Sequence, residues 1–325
     1  MTSSTTDMAA VKGQEHVKRA LEVAAAGGHH VLLSGPASTG KTLLAHALVT
    51  ILPPPTAEEE VAIAAVYQAA GLPAPTSGEE AECPCRAPRP TVTRAALLGG
   101  GEPLRPGEVS LAHGGLLLLD DLPAFGLRLL ELLRGPLADR TVTLGRSASV
   151  RTFPAGFLLV ATARPCPCGA YDPGSPTSAC TCTPAQIARH RQRIPPIVLD
   201  YTEVYIETAP LEYDRLADRR PGEASAAIRA RVLEARERQR ERFGGLAIQT
   251  NGAMGPAEVH RFCPVDEAGH ALLRAAMRQL NLSARGYHRI LKLARTIADL
   301  AGSERIHVAH LAEAIQYRPR PALSA

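Results

Sequence analysis

The sequence has no tryptophan, and aromatic residues make up only 4% of it. So few rings leave little material for broad aromatic recognition surfaces or for platforms on which nucleic-acid bases stack. No apolar stretch approaches the roughly 20 residues needed to cross a bilayer. The N-terminal stretch MTSSTTDMAAVKGQEH lacks the charged-then-apolar order of a secretion signal. A cytoplasmic protein with no membrane partner is the expectation. Thiols stay reduced there, so its seven cysteines point to metal binding or to no role, rather than to disulfides. A large excess of either charge is missing too. The 36 Lys and Arg against 32 Asp and Glu give a net charge of +4, which neither demands nor excludes a polyanionic partner.

What is present is enough for a substantial core: 325 residues, 45% of them hydrophobic, suffice for one large domain or two of ordinary size. Short runs rich in Val, Leu and Ile at 31–34, 116–119, 157–161 and 203–207 alternate with helical patterns. That alternation predicts an α/β fold with a parallel sheet between helices. From about residue 209 the pattern is helical throughout, over 223–243, 265–280, 283–301 and 307–317. The expected division is an α/β domain over 1–208, with inserted hairpins and a Cys-rich loop at 166–182, and a helical domain over 209–325. Proline-rich stretches such as ILPPPTAEEE mark loops. The arginine-dense run AAIRARVLEARERQRERF reads as a solvated, charge-laced helix face.

The segment VLLSGPASTGKTLLAHAL, residues 31–48, carries the chemistry. Gly35, Gly40, Lys41 and Thr42 match G-x-x-x-x-G-K-[ST], placed after a strand and opening a helix as the phosphate-binding mechanism requires. Residues Gly35, Pro36, Ala37, Ser38, Thr39, Gly40, Lys41, Thr42 and Leu43 would line a nucleotide site. Successive backbone N–H groups bind phosphate oxygens there. Lys41 would reach the β and γ phosphates and Thr42 would ligate magnesium. The partner segment is LLLLDDLPAF, a buried strand ending in Asp120, which would hold the magnesium, and Asp121, which would orient the attacking water.

Two C-x-C pairs, Cys166 with Cys168 and Cys180 with Cys182, flank a loop holding Gly169, Pro173, Gly174 and Pro176. Four thiolates from two short turns suit one structural zinc ion, with no open position for catalysis. Cys83 and Cys85 read as incidental, with a second metal site or a redox pair as the alternatives, and Cys263 reads as a small core residue.

With these segments in hand, the chain resembles the magnesium-chelatase-like AAA+ ATPases of the ComM/YifB type. The resemblance runs from GQEHVKRALEVAAAGGHHVLLSGP to RTIADLAGSERIHVAHLAEAIQYR. Between them lie LRPGEVSLAHGGLLLLDDLPAF, PCPCGAYDPGSPTSACTCTPAQIARHRQRI and LSARGYHRILKLARTIADLAGSERI. It implies a P-loop NTPase core of AAA+ type followed by a helical lid, ATP and Mg2+ as ligands, and a homo-oligomeric, hexameric ring acting in branch migration of DNA. The family's N-terminal Lon-protease-like domain is expected to be lacking, since Gly13-Gln14 lies almost at the start. Lys41, Asp120, Asp121 and Arg285 take the catalytic places, with Arg285 in LSARGYHR as the second-sensor arginine and Arg289 one turn later.

The loop reads GPASTGKT where the family usually has GPPGTGKT, Arg89-Pro90 replace paired histidines, and three catalytic positions also depart from that pattern. The acidic pair, normally Asp-Glu, is Asp120-Asp121. The polar sensor, an Asn in the family, is Arg164. The arginine that resembles a finger reaching a neighbour's ATP is replaced by Tyr201, which carries no positive charge to stabilise a transferring phosphoryl group. Binding parts are kept and transition-state parts are altered. The leading reading is a ring motor on DNA with weak or partner-dependent hydrolysis. A nucleotide-gated scaffold, working beside a more complete homologous ATPase, and a remodeller of a protein partner stand as alternatives. Arg86, Arg89, Arg94, Arg105, Arg140, Arg146 and Arg151 are candidate phosphate contacts at a central pore, or ordinary solvated arginines.

Overall fold

The computed structural model describes residues 6–75, 83–146, 149–171, 179–210, 217 and 220–318. Its strands are β1 (Val31–Ser34), β2 (Cys85–Arg86), β3 (Gly99–Gly100), β4 (Arg105–Pro106), β5 (Leu116–Leu119), β6 (Thr141–Arg146), β7 (Ser149–Pro154), β8 (Leu158–Ala163) and β9 (Val204–Glu207). Five of them form one parallel sheet in the order β2-β5-β8-β1-β9. The pairs β3–β4 and β6–β7 are separate antiparallel hairpins.

The apolar runs are continuous because the sheet is covered on both faces. Along β1, Val31 and Leu33 enter one core cluster while Leu32 enters the other. Leu116 and Leu118 of β5 likewise face away from Leu117 and Leu119, the two-residue period of a strand. The α/β architecture read from the sequence therefore holds. The edge strand β2 was not expected. It is two residues long, contains no apolar run, and pairs with Leu116 and Leu117.

Helices α1 (Glu15–Gly27), α2 (Lys41–Ala47), α3 (Ala57–Ala70), α4 (Arg94–Leu98), α5 (Glu108–Leu111), α6 (Leu127–Glu131), α7 (Arg134–Asp139), α8 (Pro184–Arg191) and α9 (Pro196–Tyr201) are interleaved with these strands. Beyond β9 the described elements are α10 (Ser225–Arg242), α11 (Pro256–Phe262), α12 (Glu267–Gln279), α13 (Ala284–Leu300) and α14 (Val308–Gln316), with a single parallel bridge between Val265 and Ile306. Among the described residues no helix is long and apolar enough to cross a membrane. Leu21 of α1, Val232 of α10 and Ile290 of α13 share the core that underlies one sheet face. Leu130, Leu137 and Val198 cover the other.

The arginine-dense α10 departs from expectation, because much of its charge points inward. Arg236 Nη2 donates to the Ala25 carbonyl at 2.9 Å, and Gln239 donates to Ala26 at 2.9 Å. These are among the last carbonyls of α1, which have no partner within their own helix. Arg229 reaches the Leu52 carbonyl and Arg231 pairs with Glu22. Arg242 pairs with Asp299 of α13. A helix with alternating charges at these spacings looks the same in sequence whether it faces water or another helix end.

Candidate functional site

The sheet delivers its polar groups at the carboxyl ends of its strands, where open α/β sheets hold ligands. β1 runs into the turn Gly35–Gly40, and α2 begins at Lys41. Gly35 has φ of 151°, and a Cβ there would stand 2.3 Å from Thr208 Oγ1, so only glycine fits. Gly40 has φ of 83°, and a Cβ there would meet nothing within 4 Å, which leaves open space beside the turn. Ala37 and Ser38 on the turn and Thr42 and Leu43 on α2 are exposed, while Thr39 and Lys41 are buried.

Lys41 Nζ donates to the carbonyls of Gly35 (2.8 Å) and Pro36 and lies 3.2 Å from Thr39 Oγ1. Burial pushes its ammonium below the ordinary lysine value, while the nearby carboxylates of Asp120 and Asp121 act to raise it. The Thr42 hydroxyl donates to Asp120 Oδ1 at 2.9 Å. A hydroxyl and a strand-tip carboxylate in contact, beside a lysine and an open glycine turn, are the donor set that a magnesium-bound triphosphate requires.

Two residues that sequence reasoning missed complete this arrangement. Thr162 on β8, in register with Leu33, donates its hydroxyl to Asp120 Oδ1 at 2.6 Å and accepts the Asp121 N–H at 2.8 Å. Its one sequence signal is a hydroxyl inside the apolar run LLVATA. Thr208, just past β9, shares a 2.6 Å hydrogen bond with Thr39 Oγ1 and donates its N–H to the Ser34 carbonyl.

Asp121 stands apart in its environment. Its backbone is left-handed, with φ of 58°. Arg164 grips both carboxylate oxygens, Nε to Oδ1 at 3.2 Å and Nη2 to Oδ2 at 2.6 Å. The departure at the polar sensor and the carboxylate expected to orient water are thus one ion pair.

Arg285 does not join this group within one chain. Its side chain is 80% exposed and lies 3.9 Å from Asp200. Together with Tyr201, Arg289, Lys292 and His30 it lines a cavity of about 360 Å³. His30 precedes β1, whereas the glycine turn leaves the other end of that strand, about 13 Å away for four residues of extended chain. Tyr201 and Arg285, expected at the finger and second-sensor positions, therefore face one shared cavity, remote from the chain's own phosphate turn.

Cys166, Cys168, Cys180 and Cys182 converge, with all four Sγ atoms within 4.8 Å of one another. The separations are 3.3 Å for Cys166–Cys168, 3.7 Å for Cys166–Cys180 and 3.6 Å for Cys168–Cys180. Thiolates at the corners of a zinc tetrahedron with Zn–S near 2.3 Å lie about 3.8 Å apart, so the cluster has the size that such an ion needs. Backbone hydrogen bonds from Ala170 and Thr181 bring the Cys168 thiol down to about 6. Pro173, Gly174 and Pro176 of this loop lie outside the described residues. Cys83 and Cys85 are elsewhere: Cys83 Sγ donates to the Pro53 carbonyl and Cys85 lies in β2. Cys263 is a buried core residue.

The candidate substrate arginines divide. Arg86 is held in a two-pronged pair with Glu108, at 2.6 and 2.7 Å, so it is not a free phosphate contact. Arg89, Arg94, Arg105, Arg140 and Arg151 are exposed. Arg146 belongs to β6, which forms an antiparallel hairpin with β7.

Known proteins share this pattern. The family described as "Magnesium chelatase, subunit ChlI" matches residues 7–216, and its C-terminal counterpart matches 222–318. The competence protein ComM of Haemophilus influenzae is 40% identical over 326 residues, covering 97% of this chain and 60% of that protein. The uncharacterized protein YifB of Escherichia coli is 38% identical over 314 residues, covering 96% of the chain and 60% of its own length. The chain thus spans about 60% of the length of these relatives. With both family matches covering nearly all of its length, the chain belongs to the magnesium chelatase ChlI family of AAA+ ATP-binding proteins.

Proposed function

We propose that the chain binds ATP with magnesium and works as the motor portion of an oligomeric ring on DNA, hydrolysing slowly when alone. The observation that carries this reading is the contact of Thr42 with Asp120 beside Lys41 at the open glycine turn. In this reading the N–H groups of Ser38, Thr39 and Gly40 and the Lys41 ammonium bind phosphate oxygens, those of Gly35 and Ala37 being held by the Ala163 and Gly169 carbonyls. Thr42 and Asp120 hold the magnesium, and Asp121 orients water. Bound ATP and magnesium would supply the phosphoryl group and the charge that stabilises its departure.

Residues 1–208 would act as the nucleotide-binding domain and 209–325 as its helical lid. Arg285 would serve a neighbouring copy rather than its own phosphate turn, a role supported by its exposure and its distance from Lys41. Exposed Arg89, Arg94, Arg105, Arg140 and Arg151 would contact DNA phosphates without reading sequence. The four clustered cysteines would hold one structural zinc ion.

A second reading is favoured by one observation, the grip of Arg164 on Asp121. A carboxylate with both oxygens occupied is poorly placed to polarise water, which suits a nucleotide-gated scaffold that assembles beside a more complete homologous ATPase. Titration calorimetry with ATP and magnesium tests the shared foundation. Binding is expected in the parent chain and absent in Lys41→Ala; equal heats in the two would refute the site.

A further inference from the structure

The cysteine cluster and the phosphate turn, 125 residues or more apart in the chain, touch each other. The C-x-C turn closes on itself through the Gly169 N–H to the Cys166 carbonyl at 3.0 Å. From that closed turn the Gly169 carbonyl accepts the Ala37 N–H of the phosphate turn at 2.8 Å. The approach is tight. A Cβ on Gly169 would stand 3.0 Å from Ala37 Cβ and 3.3 Å from Arg164 Cδ, and its φ of 78° disfavours any side chain. The same turn also holds the water-orienting carboxylate at second hand. Arg164, which grips Asp121, donates from Nη1 to the Pro167 carbonyl between the two cysteines at 3.3 Å. The Arg164 carbonyl contacts His190 Nε2 of α8 at 3.1 Å, and α8 starts directly after Cys182, capped by Thr183.

We infer that a metal ion in the four-cysteine site is the buttress of the nucleotide site: by locking the Cys166–Gly169 turn it fixes the outer rim of the phosphate turn through Ala37. This rests on the reading that the four thiols hold zinc. The physical reason is that the ion would join this turn to the second cysteine pair, Cys180 and Cys182, which the chain brings back against it. Cys168 is exposed, and the four Sγ atoms, within 4.8 Å of one another, converge on one point where a shared cation would tie the two cysteine pairs together. Without the cation the turn opens, the Gly169 carbonyl leaves Ala37, and the loop must be ordered anew at each binding event. Losing one such fixed hydrogen bond weakens binding by about tenfold.

The test measures metal content and ATP affinity separately on the full chain. Elemental analysis is expected to give about one zinc per chain, and less than half an equivalent would overturn the metal reading and this inference with it. Removal of zinc by 1,10-phenanthroline, which leaves magnesium in place, is expected to weaken ATP binding about tenfold, with recovery on adding zinc back. Zinc bound but ATP affinity unchanged on its removal would overturn the buttress while leaving the metal site intact. Should the metal-free chain unfold, Gly169→Val decides the matter. It is expected to keep its zinc and its far-ultraviolet circular dichroism while binding ATP about tenfold more weakly. Parental affinity in that variant would refute the coupling.

Discussion

Arg164 sets the working state of the residue expected to orient water, because its guanidinium occupies both oxygens of Asp121. Arg164→Asn frees that carboxylate, and a positioned base is worth on the order of a hundredfold or more. Steady-state phosphate release is therefore expected to rise at least tenfold; a rate at or below the parent's would remove Asp121 from the mechanism. A second residue gives a pH signature. The Leu159 N–H donates to His30 Nδ1 at 3.0 Å, which requires the neutral ring, and burial brings the His30 imidazole down to about 4. A depressed histidine adds stability that is complete above its ordinary value of 6.5 and is lost as pH falls toward 4. The melting temperature should decline across that window, and His30→Gln should flatten the decline. Glycine-bounded Lys41, Thr42 and Asp120 were legible in the sequence because their chemistry fixes their spacing. The Asp121–Arg164 pair was not, since its members lie 43 residues apart and each looked like a separate departure.

At the scale of elements, the junction of α10 with α13 carries the most exposed prediction about stability. Asp299 is fully buried and pairs with both Arg242 and Arg295, and Arg295 has a side chain only 2% exposed. Asn251 Nδ2 donates to the same carboxylate at 2.8 Å. Removing one partner from a buried ionic group leaves uncompensated charge and costs about 3–5 kcal/mol. Asp299→Ala is expected to lower the unfolding free energy by that amount in urea titration, and a loss under about 1 kcal/mol would show that the network is not needed. Four of the five sheet strands, β1, β5, β8 and β9, were legible as apolar runs because burial on both faces favours apolar residues throughout. β2 has only two residues and α11 only seven, too few for a period to appear. The inward aim of α10 was hidden because Arg-Glu spacing along a helix does not say what lies opposite.

At the scale of the molecule, Tyr201 and Arg285 share a cavity at the end of β1 that lies away from the phosphate turn. If chains assemble so that this cavity meets a neighbour's nucleotide, as proposed, hydrolysis per chain should climb steeply with protein concentration. Tyr201→Arg should then raise the plateau by about a thousandfold, the low end of what a transition-state arginine supplies. A rate per chain that is independent of concentration, and unaffected by the substitution, would mean that the cavity serves no nucleotide. Forked DNA should stimulate turnover and added salt should abolish the stimulation. The sheet order has its own consequence for anyone trimming the protein. Lys41, Asp120, Thr162 and Thr208 follow or sit on β1, β5, β8 and β9, which neighbour one another only in the assembled sheet. An excised fragment that starts after residue 34 or stops before residue 204 would lose a strand of that sheet, and with it what positions these side chains.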